Sequence, residues 1–157
     1  MEIRKATLED ALILSTLNVD VQRLHAEAMP QLFKQPGDAT FAVQFMREQL
    51  LDPLNHLYIG FVKDEATGYI LARLIERPEN LIMYAWTYLS IEQISVKPSY
   101  RHMGCGTKLV DAVKDLASEM RIATITLTTW AFNEGGLSFF RKQGFETYNE
   151  RLWLMDF

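Results

Sequence analysis

The sequence predicts a mixed α/β fold in which helices cover both faces of a mixed sheet. Three observations carry this. Strand-like and helix-like segments interleave along the chain, two of the strands read as an antiparallel hairpin, and one segment past the middle shows a clear amphipathic helical stripe. In chain order, "EIRKAT" (Glu2 to Thr7) alternates and reads as a strand, after which Leu8, Leu12, Leu14, Leu17 and Val21 recur at roughly helical spacing. Residues 22 to 55 are mixed, with Pro30, Pro36 and Gly37 as punctuation. Within them the spacing of Phe41, Phe45, Met46 and Leu50 predicts a helix over Ala39 to Leu51, ended by Pro53. "HLYIGFVK" and "GYILARLIER" predict two strands joined by the polar turn "DEAT".

"MYAWTYLSIEQISV" (Met83 to Val96) is rich in aromatic and β-branched residues and far longer than a typical strand of about 5 or 6. It is either one long strand or a strand carrying a bulge. From Thr107 to Met120, Leu109, Val110, Val113, Leu116, Ala117 and Met120 form one stripe, with Lys108, Asp111, Lys114 and Asp115 outside it. "ATITLTTW" (Ala123 to Trp130) reads as a strand. "NEGGLSFFRKQ" reads as a short helix with Asn133 as N-cap and Gly144 as its stop, and "RLWLMDF" as a closing strand. No repeat, low-complexity tract or linker interrupts the 157 residues, so one domain is expected throughout.

Composition narrows the function classes. With 48% hydrophobic and 23% charged residues the chain has the make-up of a compact soluble protein. The lone Cys105 has no internal partner, and "MEIRKATLED" lacks the apolar core of a signal peptide. A reducing, cytoplasmic location is the expectation, with no membrane partner. A net charge of -4 argues against nucleic acid as the main ligand, since phosphate neutralisation demands a basic surface. Locally the balance reverses: Lys97, Arg101, His102 and Lys108 follow one another with no acid among them, which fits either a small polyanionic ligand or a solvated surface.

That basic stretch lies in "VKPSYRHMGCGTKLVDAV", where a strand passes through proline and two near-adjacent glycines into the amphipathic helix. A glycine-rich first helical turn offers unpaired N–H groups and the positive end of the helix dipole to an anion. The dinucleotide fingerprint fails because Leu109 holds the third glycine site, and the P-loop pattern fails because Lys108 follows Thr107. "ISVKPSYRHMGCG", followed by "NEGGLSFFRKQGF" from Asn133 to Phe145, instead resembles the two motifs of the GNAT superfamily of N-acetyltransferases.

The resemblance implies a mostly antiparallel twisted sheet and acetyl-coenzyme A as co-substrate. It assigns the diphosphate to the amides of Met103, Gly104, Cys105, Gly106 and Thr107, with Arg101 and His102 alongside. It assigns the pantetheine arm to the backbone edge of Ile94, Ser95 and Val96 and to Asn133, which is equally readable as a helix cap. The resemblance also implies a tyrosine general acid at the second residue of the aromatic pair, and this chain has Phe140 there. Tyr148 and Ser138 are the substitutes within the sequence, and each also reads as structural.

Glu92 is the candidate base. On an unbroken strand it would share a face with Tyr84, Trp86, Tyr88, Ile94 and Val96, and desolvation there would raise its pKa toward the working pH. The alternative is a cross-strand pair with Arg73. Backbone N–H groups near Ile94 would polarise the thioester carbonyl. Cys105 admits a covalent acetyl-enzyme reading or the role of a small buried hydrophobe. His25 and His56 read as packing residues, and no spacing suggests a metal site. The acceptor, a small-molecule or peptide amine, would meet Val21 to Phe33 and the aromatic strand, with Glu27, Trp86 and Tyr88 as candidate contacts. A homodimer is compatible with this reading. The rival is a non-catalytic module that binds or senses acyl-coenzyme A.

Overall fold

The computed structural model describes residues 1–154. Among the described residues five strands, β1 (Glu2–Lys5), β2 (Asn55–Val62), β3 (Glu65–Arg77), β4 (Trp86–Val96) and β5 (Ile125–Leu127), lie side by side in chain order. β1 to β4 are antiparallel neighbours and β5 runs parallel to β4. The helices are α1 (Ala11–Ala28), α2 (Val43–Leu51), α3 (Cys105–Glu119) and α4 (Glu134–Lys142).

The period-2 alternation of β3 divides the core. Tyr69 and Leu71 point to one face, where Leu14, Leu17 and Met46 of α1 and α2 cover them together with Leu57 and Ile59. Ile70 and Ala72 point to the other, under Leu109, Val110, Val113 and Leu116 of α3 and Phe140 of α4. Burying each large aliphatic side chain contributes about 1.5–3 kcal/mol, so the two clusters fix the helices to the sheet. The predicted helices on both faces are observed, and so is the stripe on α3 from Leu109 to Ala117, whereas Met120 is the C-cap and is exposed.

Several boundaries differ from the sequence expectation. α1 continues to Ala28, well past Val21, and is preceded by a 3-10 turn at Leu8–Asp10. The hairpin turn is not "DEAT": Val62 pairs with Glu65, so Lys63 and Asp64 alone make the turn, with Lys63 at φ 54. β5 is only three residues long. Arg151 to Leu154 form no strand, and the remainder of the expected closing strand, residues 155–157, lies outside the described residues. Among the described residues no helix is long and apolar enough to cross a membrane.

The entry to α1 is pinned by charge. Arg4 Nη1 and Nη2 donate to both carboxylate oxygens of Asp10, at 2.8 and 2.7 Å, and the Thr7 N–H adds a third bond at 2.7 Å. The Arg4 bond, assisted by Thr7, lowers the Asp10 carboxyl to about 2 despite opposing desolvation. A carboxyl depressed by folding adds stability above its unfolded pKa near 4 and loses it as pH falls toward 2. With the Arg4 side chain 40% exposed, the loss is expected to be about 1–2 kcal/mol. Urea unfolding at pH 5 and pH 2.5 measures it, and Asp10→Asn should lose that part of the pH dependence.

Candidate active site

β4 and β5 pair only at Leu89↔Ile125, Ser90↔Thr126 and Ile91↔Leu127. Beyond Ile91 the two strands part, and β4 continues to Val96 with β3 on one edge and, among the described residues, no strand on the other. The parting coincides with a bulge. Leu71 pairs with Gln93 and Ala72 with Ile91, so Glu92 is the extra residue. The bulge also changes which face the strand presents: Leu89 and Ile91 before it, and Ile94 and Val96 after it, all meet the α3 cluster. The expectation that Trp86, Tyr88 and Glu92 share a face with Ile94 and Val96 is therefore corrected. Glu92 is exposed rather than enclosed by aromatic neighbours. Its alternative partner is also taken, since Arg73 Nη1 donates to Asp52 at 2.6 Å and to Asn55 at 2.9 Å.

The polar groups on the open edge follow from one hydrogen bond. Lys97 N–H donates to the Thr67 carbonyl on β3 at 2.9 Å. A trans peptide sends its N–H and C=O in opposite directions, and successive peptides alternate along a strand. Val96 C=O, Val96 N–H, Ile94 C=O and Ile94 N–H consequently lie on the edge away from β3, while the intervening Ser95 O faces β3. Arg101 Nε donates to that Val96 carbonyl at 3.1 Å, which ties the turn to the foot of the edge.

Four residues after Arg101, α3 begins at Cys105. Gly104 is its N-cap at φ +81, a conformation that suits glycine, and a built Cβ would meet no heavy atom within 4 Å. The turn is therefore both strained for other residues and open. Lys108 is the first residue bonded into the helix, to Gly104 O at 3.1 Å, and among the described residues no side chain caps the start. Cys105, Gly106 and Thr107 thus keep N–H groups without an intrahelical acceptor at the positive end of a four-turn helix. A Cβ on Gly106 would stand 3.0 Å from Phe139 Cζ, so this glycine lets α4 approach.

The charges of the turn are partly committed elsewhere. Lys97 Nζ pairs with Glu65 at 2.8 Å, and Lys108 Nζ reaches the Met1 carbonyl at 3.4 Å. The basic run that has no acid in sequence thus acquires one across the hairpin. Arg101 stays at the open edge, and His102 and Met103 are exposed. Cys105 is buried with Sγ 3.2 Å from Thr67 Oγ1, and burial raises its thiol above the ordinary range. Of the two readings of this side chain, the structure agrees with the small buried hydrophobe, because Cys105 packs in the core.

On the other side of the parting, Asn133 caps α4 by accepting from the Gly136 N–H at 3.0 Å, so the cap reading of this residue is observed. Phe140 is 6% exposed within the α3 cluster, edge-on to Phe139 and Phe145. Its place is a packing position. Tyr148 and Ser138, the substitute acids, are both exposed.

α1 spans the parting on the opposite face. Leu17 O accepts from Ser95 Oγ of β4 at 2.7 Å, and further along α1 His25 packs on Phe132, which follows β5, and on Phe33. Trp130 extends this group to Phe33, Phe132 and Trp153. The sequence reading missed this aromatic wall. Its signal was "TTWAF", aromatic residues where a strand-to-helix connection is ordinarily polar. Glu27 is exposed in the last turn of α1. The Trp86 and Tyr88 rings lie 4.3 Å apart in a tilted pair, with Trp86 roughly 20 Å along the strand from Glu92, so they stand upstream of the parting. Among the described residues no group of three or more His, Cys, Asp or Glu is placed to hold a metal ion.

A family model described as the acetyltransferase (GNAT) family matches residues 19–145. In fold, the chain is similar to a tetramutant of the BH1408 protein from Bacillus halodurans, with a TM-score of 0.92 at 19% identity over 98% of this chain and 99% of that one. It is also similar to an aminoglycoside acetyltransferase from an uncultured soil metagenomic sample, with a TM-score of 0.68 at 13% identity over 99% and 96% of the two chains. A ribosomal-protein-alanine N-acetyltransferase from Brucella melitensis biovar Abortus 2308 gives 0.68 at 16% identity over 100% of both.

Proposed function

Because the chain belongs to the acetyltransferase (GNAT) family, we propose that it is a cytoplasmic N-acetyltransferase that passes the acetyl group of acetyl-coenzyme A to an amine by direct transfer in a ternary complex. One observation supports this most: the unpaired edge of β4 runs, by way of Arg101, into the uncapped, glycine-rich start of α3. Together they offer a row of peptide groups for an amide-bearing arm and a cluster of free N–H groups for a diphosphate, in that order.

When bound, acetyl-coenzyme A supplies an activated acyl group on a thiol that leaves as thiolate at a pKa near 8.5. The chain's residues do the rest. The N–H groups of Met103 to Thr107 hold the diphosphate with Arg101 and His102 beside it. Ile94 and Val96 hold the arm along the edge, with Ser95 fixing the strand to α1, and Asn133 flanks the arm from α4. Ile94 N–H, first on the edge after the bulge, donates to the thioester carbonyl. Glu92, at the head of the edge, takes the proton from the amine directly or through water. Glu27 and the aromatic wall receive the acceptor. Because Phe140 has no proton to give, the thiolate departs without a tyrosine acid, which predicts slow turnover.

Two proteins of similar fold are named for amine acceptors, an aminoglycoside and a ribosomal-protein alanine, and this supports an amine here. Release of free thiol from acetyl-coenzyme A across a panel of small and peptide amines tests the proposal: acceptor-dependent release is expected. The buried phenylalanine favours one second reading, a module that binds acyl-coenzyme A without turnover. Binding with no thiol release from any amine would establish that reading instead.

A further inference from the structure

The bulge in β4 is held by a buried polar cluster that the mechanism above does not use. Tyr69 of β3 is completely buried among Leu14, Leu17, Met46, Leu57 and Leu71, where a phenylalanine would fill the same space. Its hydroxyl nevertheless has two partners. It donates to Gln93 Oε1 at 2.7 Å and accepts from Asn18 Nδ2, which also donates to Gln93 Oε1 at 3.3 Å. Gln93 pairs across the strands with Leu71, and Tyr69 pairs with Ser95, so the hydroxyl reaches diagonally to the residue that follows the extra one. Burial pushes the phenol up, against a smaller pull from Asn18, so it stays a donor at any working pH.

A bulge breaks the ladder where it sits, so its geometry needs support from elsewhere. Here the support comes from three elements meeting on one carboxamide: β4 through Gln93, β3 through Tyr69 and α1 through Asn18. The neighbouring Ser95–Leu17 bond fastens α1 to the same stretch. The residues on either side of Gln93 are Glu92 and Ile94, the base and the carbonyl donor.

Resting on the function proposed above, we propose that Asn18, Tyr69 and Gln93 are positioning residues for acetyl transfer, which hold the β4 bulge so that Glu92 and the Ile94 N–H keep their aim. Tyr69 and Asn18 are buried and Gln93 half-buried, with no buried polar side-chain atom left unpaired among the described residues. A network satisfied in this way specifies one geometry, and a misplacement of about 1 Å at a reacting group costs on the order of 10²-fold in rate.

The test compares wild type with Tyr69→Phe, and with Gln93→Met should Tyr69→Phe not fold. Coenzyme A affinity is read by calorimetry, kcat with acetyl-coenzyme A and the fastest amine of the panel, and amide exchange at residues 92–95 in the free protein. Expected are an affinity within about 2-fold of wild type, a kcat about 10-fold or more lower, and faster exchange confined to the bulge. The carbonyl stretch of bound, carbon-13-labelled acetyl-coenzyme A should also move back toward its value in water. A lower melting temperature with unchanged kcat and carbonyl stretch would make the cluster purely structural and overturn the inference. Wild type that fails to bind coenzyme A would overturn the proposed function itself, and the inference with it.

Discussion

Glu92→Gln is expected to lower kcat/KM for the amine by about 10²- to 10⁴-fold, the usual worth of a positioned base. Coenzyme A affinity and thermal unfolding should stay at wild-type values, because Glu92 is exposed and, among the described residues, has no ion pair. The loss has a direction in pH. An alkyl amine with a pKa near 10.4 is almost entirely protonated at neutral pH, so the base matters most there. As pH approaches the amine's own pKa the free amine is supplied by solution, and the gap between the variant and wild type should narrow. Initial rates from pH 6 to pH 10 measure both effects. Equal rates across that range would remove Glu92 from the reaction.

Gly68→Ala is expected to damage the fold and the site together. A Cβ built there stands 2.5 Å from Ser95 O and 3.2 Å from Val96 Cα and Cγ2. The nearest of these atoms is backbone, so relief requires β3 and β4 to separate at the segment that carries the open edge. Overpacking of this kind costs about 1–3 kcal/mol, or a fall of roughly 2–12 °C in melting temperature for a chain of this size. Coenzyme A affinity should fall with it. Gly60→Ala is the contrast, since its closest contact is the mobile tip of Met1 at 2.8 Å. Gly135→Ala, in open space within α4, should gain about 0.5–1 kcal/mol from helix propensity. Equal melting of Gly68→Ala and wild type would mean that the two strands are not held at this spacing.

What the sequence could convey depended on whether local pattern or long-range register decided the outcome. The stripe on α3 and the glycines before it are local, and both were legible, as was the Asn133 cap. The bulge was foreseen as one of two options for a long apolar stretch, but its position was not, because it depends on pairing with Leu71 and Ala72 some twenty residues upstream. That is why the surroundings of Glu92 were misread: one extra residue reverses the facing of everything after it. The partners of Lys97 and Arg73, Glu65 and Asp52, likewise come from other strands and loops. The buried cluster on Tyr69 gave no signal at all, since a tyrosine in an apolar strand looks like any core aromatic until Asn18 and Gln93 are brought to it.

Anion capture at the start of α3 is the step on which the proposed transfer depends most. Titrating the isotopically labelled protein with coenzyme A while following each backbone amide tests this directly. The predicted result is large shifts at the amides of Cys105, Gly106 and Thr107, with smaller ones at Ile94 and Val96 along the β4 edge. Unmoved amides at those positions, or shifts gathered on another surface such as the outer face of α4 at Glu134 and Arg141, would contradict it.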